Sequence, residues 1–326
     1  MSGGFLNTIK WWLRLIFVWI IDALKAPIPL SLLPKKSLNG QIVCITGSAS
    51  GIGRKLSIEF GKQGCTVIIW DINEEKLIET AKILDDLNIK HSSYVVDVSN
   101  KEEVYNNAAL IRQECGDVDI LVNCAGKIAN YHFLDPIDER MEHCLRVNLF
   151  AHFYTLQAFL PSMQQRNRGH VVGVASYFGL FGSGCLPEYS SSKFGVVGLM
   201  ESLRLHLKHE KMDGVKTTIV CPGYCSTDIL GGYKCNSIVV PQMEPDYVAK
   251  RVVDALRVNQ ELLIVPYGAY FLNMLHKIVP TRVADQLNLM NDAGYDLLSH
   301  FISKGFLPAR QLAPLNVQVQ EKGKVI

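Results

Sequence analysis

Between residue 41 and about residue 265 the chain alternates short apolar runs with longer segments of helical period, and that alternation admits few folds. Ile42–Ile45, Val67–Trp70, Tyr94–Val96, Ile120–Val122, Val171–Ala175, Thr217–Val220 and Leu262–Val265 read as strands. They are nearly continuously apolar, as strands buried on both faces must be. Met141–Met163, Ser191–Lys208 and Asp246–Val258 carry helical periodicity between them. Strands joined by helices are βαβ units, so the expected fold class is α/β, a doubly wound parallel sheet.

Composition agrees with one sizeable core. Hydrophobic residues make up 48% of the 326 and charged residues 20%, which argues against disorder. The net charge of +2, from 33 basic and 31 acidic side chains, provides no electrostatic basis for a nucleic-acid partner. The nine cysteines are scattered singly, and several, such as Cys44 and Cys221, fall inside apolar strand-like runs. Buried, reduced thiols in a cytosol-facing protein fit that pattern better than a disulfide framework. No CxxC pair or Cys/His cluster has ligand spacing, so no metal is expected.

The two ends differ from the middle. Trp11–Leu24 is strongly apolar, broken only by Arg14 and Asp22, and leads through the proline-containing Ala26–Pro34 to Lys35 and Lys36. The run is shorter than the roughly 20 residues of a spanning helix. No convincing small-residue cleavage site follows it, which disfavours a removed signal peptide. The expectation is a membrane-associated hydrophobic helix inserted in one leaflet, with the prolines turning the chain and Lys35/Lys36 among headgroups. Adjacent Trp11 and Trp12 favour a membrane interface; the alternative is a helix packed on the protein's own surface. Tyr267–Val279 is again aromatic and apolar, suited either to capping a pocket or to lying on the same membrane. The loop Ile229–Pro241 and the segment Pro266–Val279 are expected to shape a substrate pocket, and the last dozen or so residues to form a loosely held terminus. The expected organisation is an anchoring segment over 1–36, a catalytic domain over 37–266 and an extension over 267–326.

Strand one runs into Thr46-Gly47-Ser48-Ala49-Ser50-Gly51-Ile52-Gly53, directly before a helix. Glycines at this point let backbone N–H groups approach a pyrophosphate at the helix N-terminus, the arrangement of a Rossmann-type dinucleotide site. A purely structural turn would not require three glycines at this spacing. Asp71 ends the second strand about twenty residues further on, where a carboxylate accepts from the ribose hydroxyls and repels a 2′-phosphate. Ser50, just before Gly51, is not a cation that could restore NADP binding. NAD is therefore the expected cofactor, although Asp71 beside Asn73-Glu74-Glu75 also suits a helix-start carboxylate. Asp97 and Val98, at the end of the third strand, are placed to meet the adenine edge. The small residues of Asn123-Cys124-Ala125-Gly126 let a cofactor lie across the strand ends.

Tyr189 and Lys193 stand four apart, on one face of a helix. Only about one free tyrosine in a thousand is phenolate at pH 7, so proton transfer near neutrality asks for roughly 3 units of pKa depression. A nearby ammonium and a positively charged nicotinamide are the available sources. Such a pair is common by chance on a helix surface, but here it has company. Ser176 ends the fifth strand, thirteen residues earlier, and Asn148 lies within the helix before that strand. An asparagine there is unfavourable unless its amide has work to do.

TGSASGIG, NCAG, the VN ending in Asn148, the Ser176/Tyr189/Lys193 set and Pro222-Gly223 together resemble the short-chain dehydrogenase/reductase superfamily over about residues 41–265. IIWDIN, AFLPSM, SSKFG and GVKTTIVCP are similar to its membrane- and lipid-droplet-associated retinol and 17β-hydroxysteroid dehydrogenase group. The resemblance implies an oxidoreductase that moves hydride between NAD(H) and a lipophilic alcohol, aldehyde or ketone. It implies that Tyr189 exchanges the proton at the substrate oxygen and Ser176 holds that oxygen. Lys193 would bind the nicotinamide ribose and depress the Tyr189 pKa, Asn148 would hold a water, and Thr227 would reach the nicotinamide carboxamide. Cys124 stands where the family pattern has a second Asn; Asn123, the more structural of the two, is retained. The resemblance also implies a homodimer built on the helices around Asn148 and Tyr189, at an endoplasmic reticulum membrane or lipid droplet with the catalytic domain facing the cytosol. An NAD cofactor favours oxidation. Two other readings remain open: a lipid-droplet surface scaffold using the same fold, and an NADPH-dependent carbonyl reductase.

Overall fold

In the computed structural model of the chain, residues 12, 13, 16, 17, 33–129, 138–184, 186–235, 237, 240–290, 300, 303 and 304 are described. The strands are β1 (Ile42–Thr46), β2 (Thr66–Asp71), β3 (His91–Val95), β4 (Ile120–Asn123), β5 (Gly169–Val174), β6 (Val215–Pro222) and β7 (Leu262–Val265). They form one parallel sheet in the order β3-β2-β1-β4-β5-β6-β7. The helices are α1 (Gly51–Lys62), α2 (Glu74–Asp86), α3 (Lys101–Glu114), α4 (Glu139–Leu145), α5 (Ala151–Gln165), α6 (Pro187–His209), α7 (Pro245–Arg257), α8 (Gly268–Ile278) and α9 (Thr281–Met290). The expected doubly wound α/β architecture is the one observed.

Two cores cover the sheet. Cys44, Ile68 and Trp70 face one side and pack with residues of α3, α5 and α6, such as Ile111, Phe159 and Val196. Their neighbours Val43, Ile45, Val67 and Ile69 face the other side and meet α1, α2 and α7 through Phe60, Leu84 and Val252. A strand of alternating facing whose residues are all apolar is what burial on both sides requires. Asn73, Asn100 and Asp138 cap α2, α3 and α4 by accepting from backbone N–H groups of the first turn.

The continuous helix expected over Met141–Met163 is interrupted. Between α4 and α5, Arg146–Phe150 forms one π-helical turn that contains Asn148. A widened turn of this kind inserts a residue into the helix and redirects one side chain, which is why such turns gather at functional sites. Here the redirected side chain is a fully buried amide.

The expectation that Lys35 and Lys36 lie among lipid headgroups is corrected. Lys35 Nζ bonds Asp254 of α7 at 2.7 Å. Lys36 Nζ lies 2.9 Å from both His170 Nδ1 and Asn259 Oδ1. Specific acceptors on the protein outcompete a headgroup layer, and burial with neighbouring Lys216 lowers the Lys36 pKa to about 8. Both lysines therefore belong to the body of the fold. Most of Trp11–Leu24 and the C-terminal dozen or so residues lie outside the described residues. Trp12, Leu13, Ile16 and Phe17 are described, and they are helical and exposed. Among the described residues no helix is long and apolar enough to cross a membrane.

The aromatic stretch after Pro266 is α8. The Tyr270 hydroxyl donates to Leu262 O at 2.9 Å and accepts from Ile264 N at 3.0 Å, fastening α8 along the edge strand β7 and occupying its unpaired backbone groups. The eight described cysteines are free, and none is exposed.

Candidate active site

The strand order reverses between β1 and β4, and at such a switch point the loops part to leave a cleft at the carboxyl ends of the strands. A cavity of about 430 Å³ lies there. Every expected site residue except Asn123 and Asn148 lines it. The glycine turn, Asp71, Asp97 and Val98 stand at one end, and Ser176, Tyr189 and Lys193 with Pro222, Gly223 and Thr227 at the other.

Sterics explain two of the glycines. A Cβ at Gly53 would collide with the Gly47 carbonyl. One at Gly47, whose φ is +69°, would sit 2.6 Å from Ala125 Cα across the switch point. The turn and the β4 end are thus held in close approach. Thr46 Oγ1 reinforces this by accepting from the backbone N–H groups of Cys124 and Ala125 at 3.0 and 3.1 Å. Sequence reasoning missed Thr46, although it opens the glycine segment. Asn123 is structural, as expected: it is buried and its Oδ1 accepts from Thr155 Oγ1 at 2.9 Å.

Asp71 takes the turn role that the sequence allowed and also borders the cavity. Its carboxylate accepts from Ala49 N at 2.9 Å and Asn73 N at 3.0 Å, pinning the glycine turn to the start of the β2–α2 loop, and it lines the cavity. Arg54, next to the glycine turn, bonds Thr80 and Glu79, and Lys76 pairs at 2.6 Å with Asp228, which borders the cavity. Asp97 accepts from the Ser99 backbone and hydroxyl, which stiffens the loop that brings Val98 to the cavity.

At the reactive end, Lys193 is buried and its Nζ donates to Val174 O at 3.0 Å, 5.7 Å from the centre of the Tyr189 ring. Burial pushes the Tyr189 phenol up to about 12, opposed by the Ser176 hydroxyl beside it. Burial likewise pushes Lys193 down to about 8. The expected depression of Tyr189 by Lys193 is therefore not seen in the protein alone: desolvation outweighs the Ser176 hydrogen bond. Asn148 stands behind them. Its Oδ1 accepts from Lys127 N at 2.8 Å and its Nδ2 donates to Lys127 O at 2.9 Å. A methyl group added to Gly126 would lie 3.4 Å from Lys193 Nζ and 3.5 Å from Asn148 Oδ1, so the glycine leaves open a small polar space between those two groups.

The wall beyond Tyr189 is mainly apolar and aromatic, with Ile128, Phe178, Leu186, Tyr224 and Leu230, together with His143. Leu230 apart, these are residues that the sequence did not single out; none stands in a recognisable pattern. Of the loop expected to shape a substrate pocket, Ile229 and Leu230 line this cavity. The segment Pro266–Val279 does not line the cavity among the described residues. It supports the wall from behind, with the His276 ring edge-on to Phe181 at 4.8 Å and Phe181 against Tyr177 at 4.6 Å.

One buried group nearby has no use in this arrangement. His152 is 1% exposed, and neither ring nitrogen has a hydrogen-bond partner among the described residues. Burial, with the charge of Lys193, holds its pKa at about 3. An unfolded chain takes up this proton near pH 6.5, so the stability His152 permits is present above 6.5 and drains away as pH falls towards 3. Replacing His152 with Leu should therefore lessen the loss between pH 6.5 and 5 by about 2 kcal/mol. Urea unfolding at the two pH values measures it, and an unchanged pH dependence would refute the assignment.

A sequence profile of the short chain dehydrogenase family matches residues 41–235. The chain belongs to that family. It is 36% identical to Retinol dehydrogenase 10 of Homo sapiens over 274 residues, covering 76% of this chain and 80% of that protein. It is 37% identical to Epidermal retinol dehydrogenase 2 of Mus musculus over 265 residues, covering 79% and 85%. Among solved structures, a short chain dehydrogenase/reductase from Burkholderia phymatum in complex with NAD superposes with a TM-score of 0.69 at 22% identity, covering 74% of this chain and 94% of that one. A metagenomic short-chain oxidoreductase in complex with NADP gives 0.60 at 26% identity, covering 71% and 97%. The enzyme is thus an oxidoreductase acting on CH–OH groups.

Proposed function

We propose that this enzyme uses NAD(H) to interconvert a lipophilic alcohol of the retinoid, steroid or long-chain class and its aldehyde or ketone. The observation that carries the reading is a single cavity with Asp71 at one end, Tyr189 and Ser176 at the other, and an apolar wall beyond them. The cradle fits a dinucleotide: glycines press the turn close, and a carboxylate, with no cation beside it among the described lining residues, faces the adenosine end. The solved relatives hold NAD in one case and NADP in another, so the choice of NAD rests on Asp71. The names of the retinol dehydrogenase relatives support a retinoid-like substrate.

Gly47, Ser50, Gly51, Ile52 and Gly53 would cradle the pyrophosphate, Asp71 the adenosine ribose, Asp97 and Val98 the adenine. Ala125, Pro222, Gly223 and Thr227 would border the nicotinamide. Bound there, the nicotinamide supplies the hydride acceptor or donor. The remaining work falls to the chain. Ser176 holds the substrate oxygen, and Tyr189 takes its proton during oxidation or returns it during reduction. Lys193 holds the nicotinamide ribose, and its ammonium favours the phenolate once the ring is engaged. The polar space between Lys193 Nζ and Asn148 Oδ1 accommodates a water that relays the proton outward. Spectrophotometry with NAD and NADP against a panel of lipid alcohols tests the reading. Turnover with NAD is expected; preference for NADP would overturn the cofactor assignment, and no turnover with any alcohol the substrate class.

The residues that precede Lys35 would anchor the enzyme to an endoplasmic reticulum or lipid-droplet surface, with the catalytic domain over 37–266 and an extension over 267–326 facing the cytosol. Tyr267, Phe271, Met274 and Ile278 support a second contact. They recur at helical spacing from the N-cap to the end of α8, are 55–72% exposed, and have the cationic Lys277 and Arg282 beside their C-terminal end. Met274→Glu with Ile278→Glu should lower the fraction of full-length protein that floats with phosphatidylcholine/phosphatidylserine vesicles. An unchanged fraction would remove α8 from the lipid contact. The exposed Phe150 and Phe153, with Phe194 and Leu205 of α6, suit the homodimer that the helices around Asn148 and Tyr189 would form.

A further inference from the structure

Ser192 lies between Tyr189 and Lys193 on the chain and is fully buried. Its hydroxyl donates to Tyr189 O at 2.6 Å, a bond back along α6. A hydroxyl has one proton to give, so the Oγ is left as an acceptor. It accepts from Asn148 Nδ2 at 2.9 Å. Asn148 has two amide hydrogens; Lys127 O takes the other, and Cys144 Sγ, a weaker acceptor, lies 3.3 Å from the same nitrogen. The amide is therefore held on three sides: Lys127 N–H on its oxygen, Lys127 O and Ser192 Oγ on its nitrogen. Reversing the amide would set Oδ1 against the Lys127 carbonyl, two acceptors facing each other without a proton. The orientation so fixed leaves the remaining lone pair of Oδ1 for the space above Gly126, which Lys193 Nζ also borders.

We propose that Ser192 is a positioning residue for proton transfer, tying the Asn148 amide to the helix that carries Tyr189 and Lys193. The inference rests on the reading of Tyr189, Lys193 and Asn148 as a proton path. Ser192 touches neither substrate nor cofactor; it acts through Asn148. Without its oxygen one Asn148 hydrogen keeps only Cys144 Sγ, a weak acceptor 3.3 Å away, and the amide is free to tilt away from Lys193.

A double-mutant cycle tests this, with Ser192→Ala, Asn148→Ala and the pair assayed for NAD-dependent oxidation. Ser192→Ala should lower kcat roughly five- to thirtyfold, the loss expected for one buried hydrogen bond, with KM for NAD unchanged. The pH profile of kcat should move to higher pH, because the path that drains the Tyr189 proton is weakened. In the Asn148→Ala background the same substitution should cost less than about twofold, since a residue acting through another has nothing left to act on. Ser192→Thr, which keeps the hydroxyl, should restore most of the rate. Losses that multiply, or a Ser192→Ala enzyme with an unshifted pH profile, would overturn the proposal. Thermal unfolding checks each variant; if Ser192→Ala does not fold, Ser192→Cys, close in volume but a weak hydrogen-bond partner, is read by the same profile and cycle. Failure of the underlying reading looks different: Tyr189→Phe would then retain turnover.

Discussion

Tyr189→Phe should lower kcat by about a thousandfold or more while leaving NAD affinity within about twofold, because a positioned acid–base group contributes on the order of 10²–10⁴ and the ring itself remains. Phenylalanine fills the same partly buried place between Ser176 and Lys193, so no cavity opens and the fold is kept. The pH dependence of the parent enzyme follows from the same group. With the phenol pushed up to about 12, the deprotonated fraction grows tenfold per pH unit below that value. Alcohol oxidation, which needs the phenolate, should rise with pH; carbonyl reduction, which needs the phenol, should not. Bound NAD, with its positive ring, should bring the rising limb to lower pH than in the protein alone. Steady-state rates in both directions across pH 6–10, beside NAD titrations of the variant, decide it. A Tyr189→Phe enzyme with substantial turnover would place the proton transfer elsewhere.

Asp71→Ala should have the largest effect on the cofactor side. If Asp71 holds the adenosine ribose as proposed, two charge-assisted hydrogen bonds go, about 3 kcal/mol together, and kcat/KM for NAD should fall near a hundredfold. The same substitution removes the acceptor for Ala49 N and Asn73 N, so part of the loss will appear as a loosened turn and a lower Tm. Selectivity separates the two effects. A merely loosened turn weakens NAD and NADP alike, whereas loss of the carboxylate's repulsion raises the NADP/NAD ratio of kcat/KM. A ratio that stays put would assign Asp71 to structure alone.

The groups in these two predictions were legible in the sequence because each sits at a place local chemistry marks. A glycine turn after an apolar strand needs no tertiary contact to be recognised, and Asp71 follows at a distance set by one βαβ unit. Tyr189 and Lys193 are four apart on a helix, and α6 brings them to the same cavity as Ser176. Less was legible where the chain obeys distant partners. The Lys35/Lys36 pair reads as a headgroup contact from composition, yet its acceptors, Asp254, Asn259 and His170, stand more than 130 positions away. Continuous helix periodicity around Asn148 conceals the π-helical turn, because apolar spacing is nearly the same on either side of one inserted residue. The cavity wall of Phe178, Leu186 and Tyr224 is built from ordinary apolar residues, which look like core until a fold leaves them facing a void.

The sequence by itself determined the doubly wound sheet, the place of the cleft at the strand ends and the residues that border it. Those depend on strand burial, on glycine sterics and on helical spacing, all of which are local. Only the tertiary structure decided how the groups are held and charged. Burial sets Tyr189 near 12 and Lys193 near 8 in the protein alone. Ser192 and Lys127 orient Asn148, and Gly126 leaves the space beside it. Desolvation and amide orientation depend on what surrounds a side chain in three dimensions, and no spacing along the chain records that.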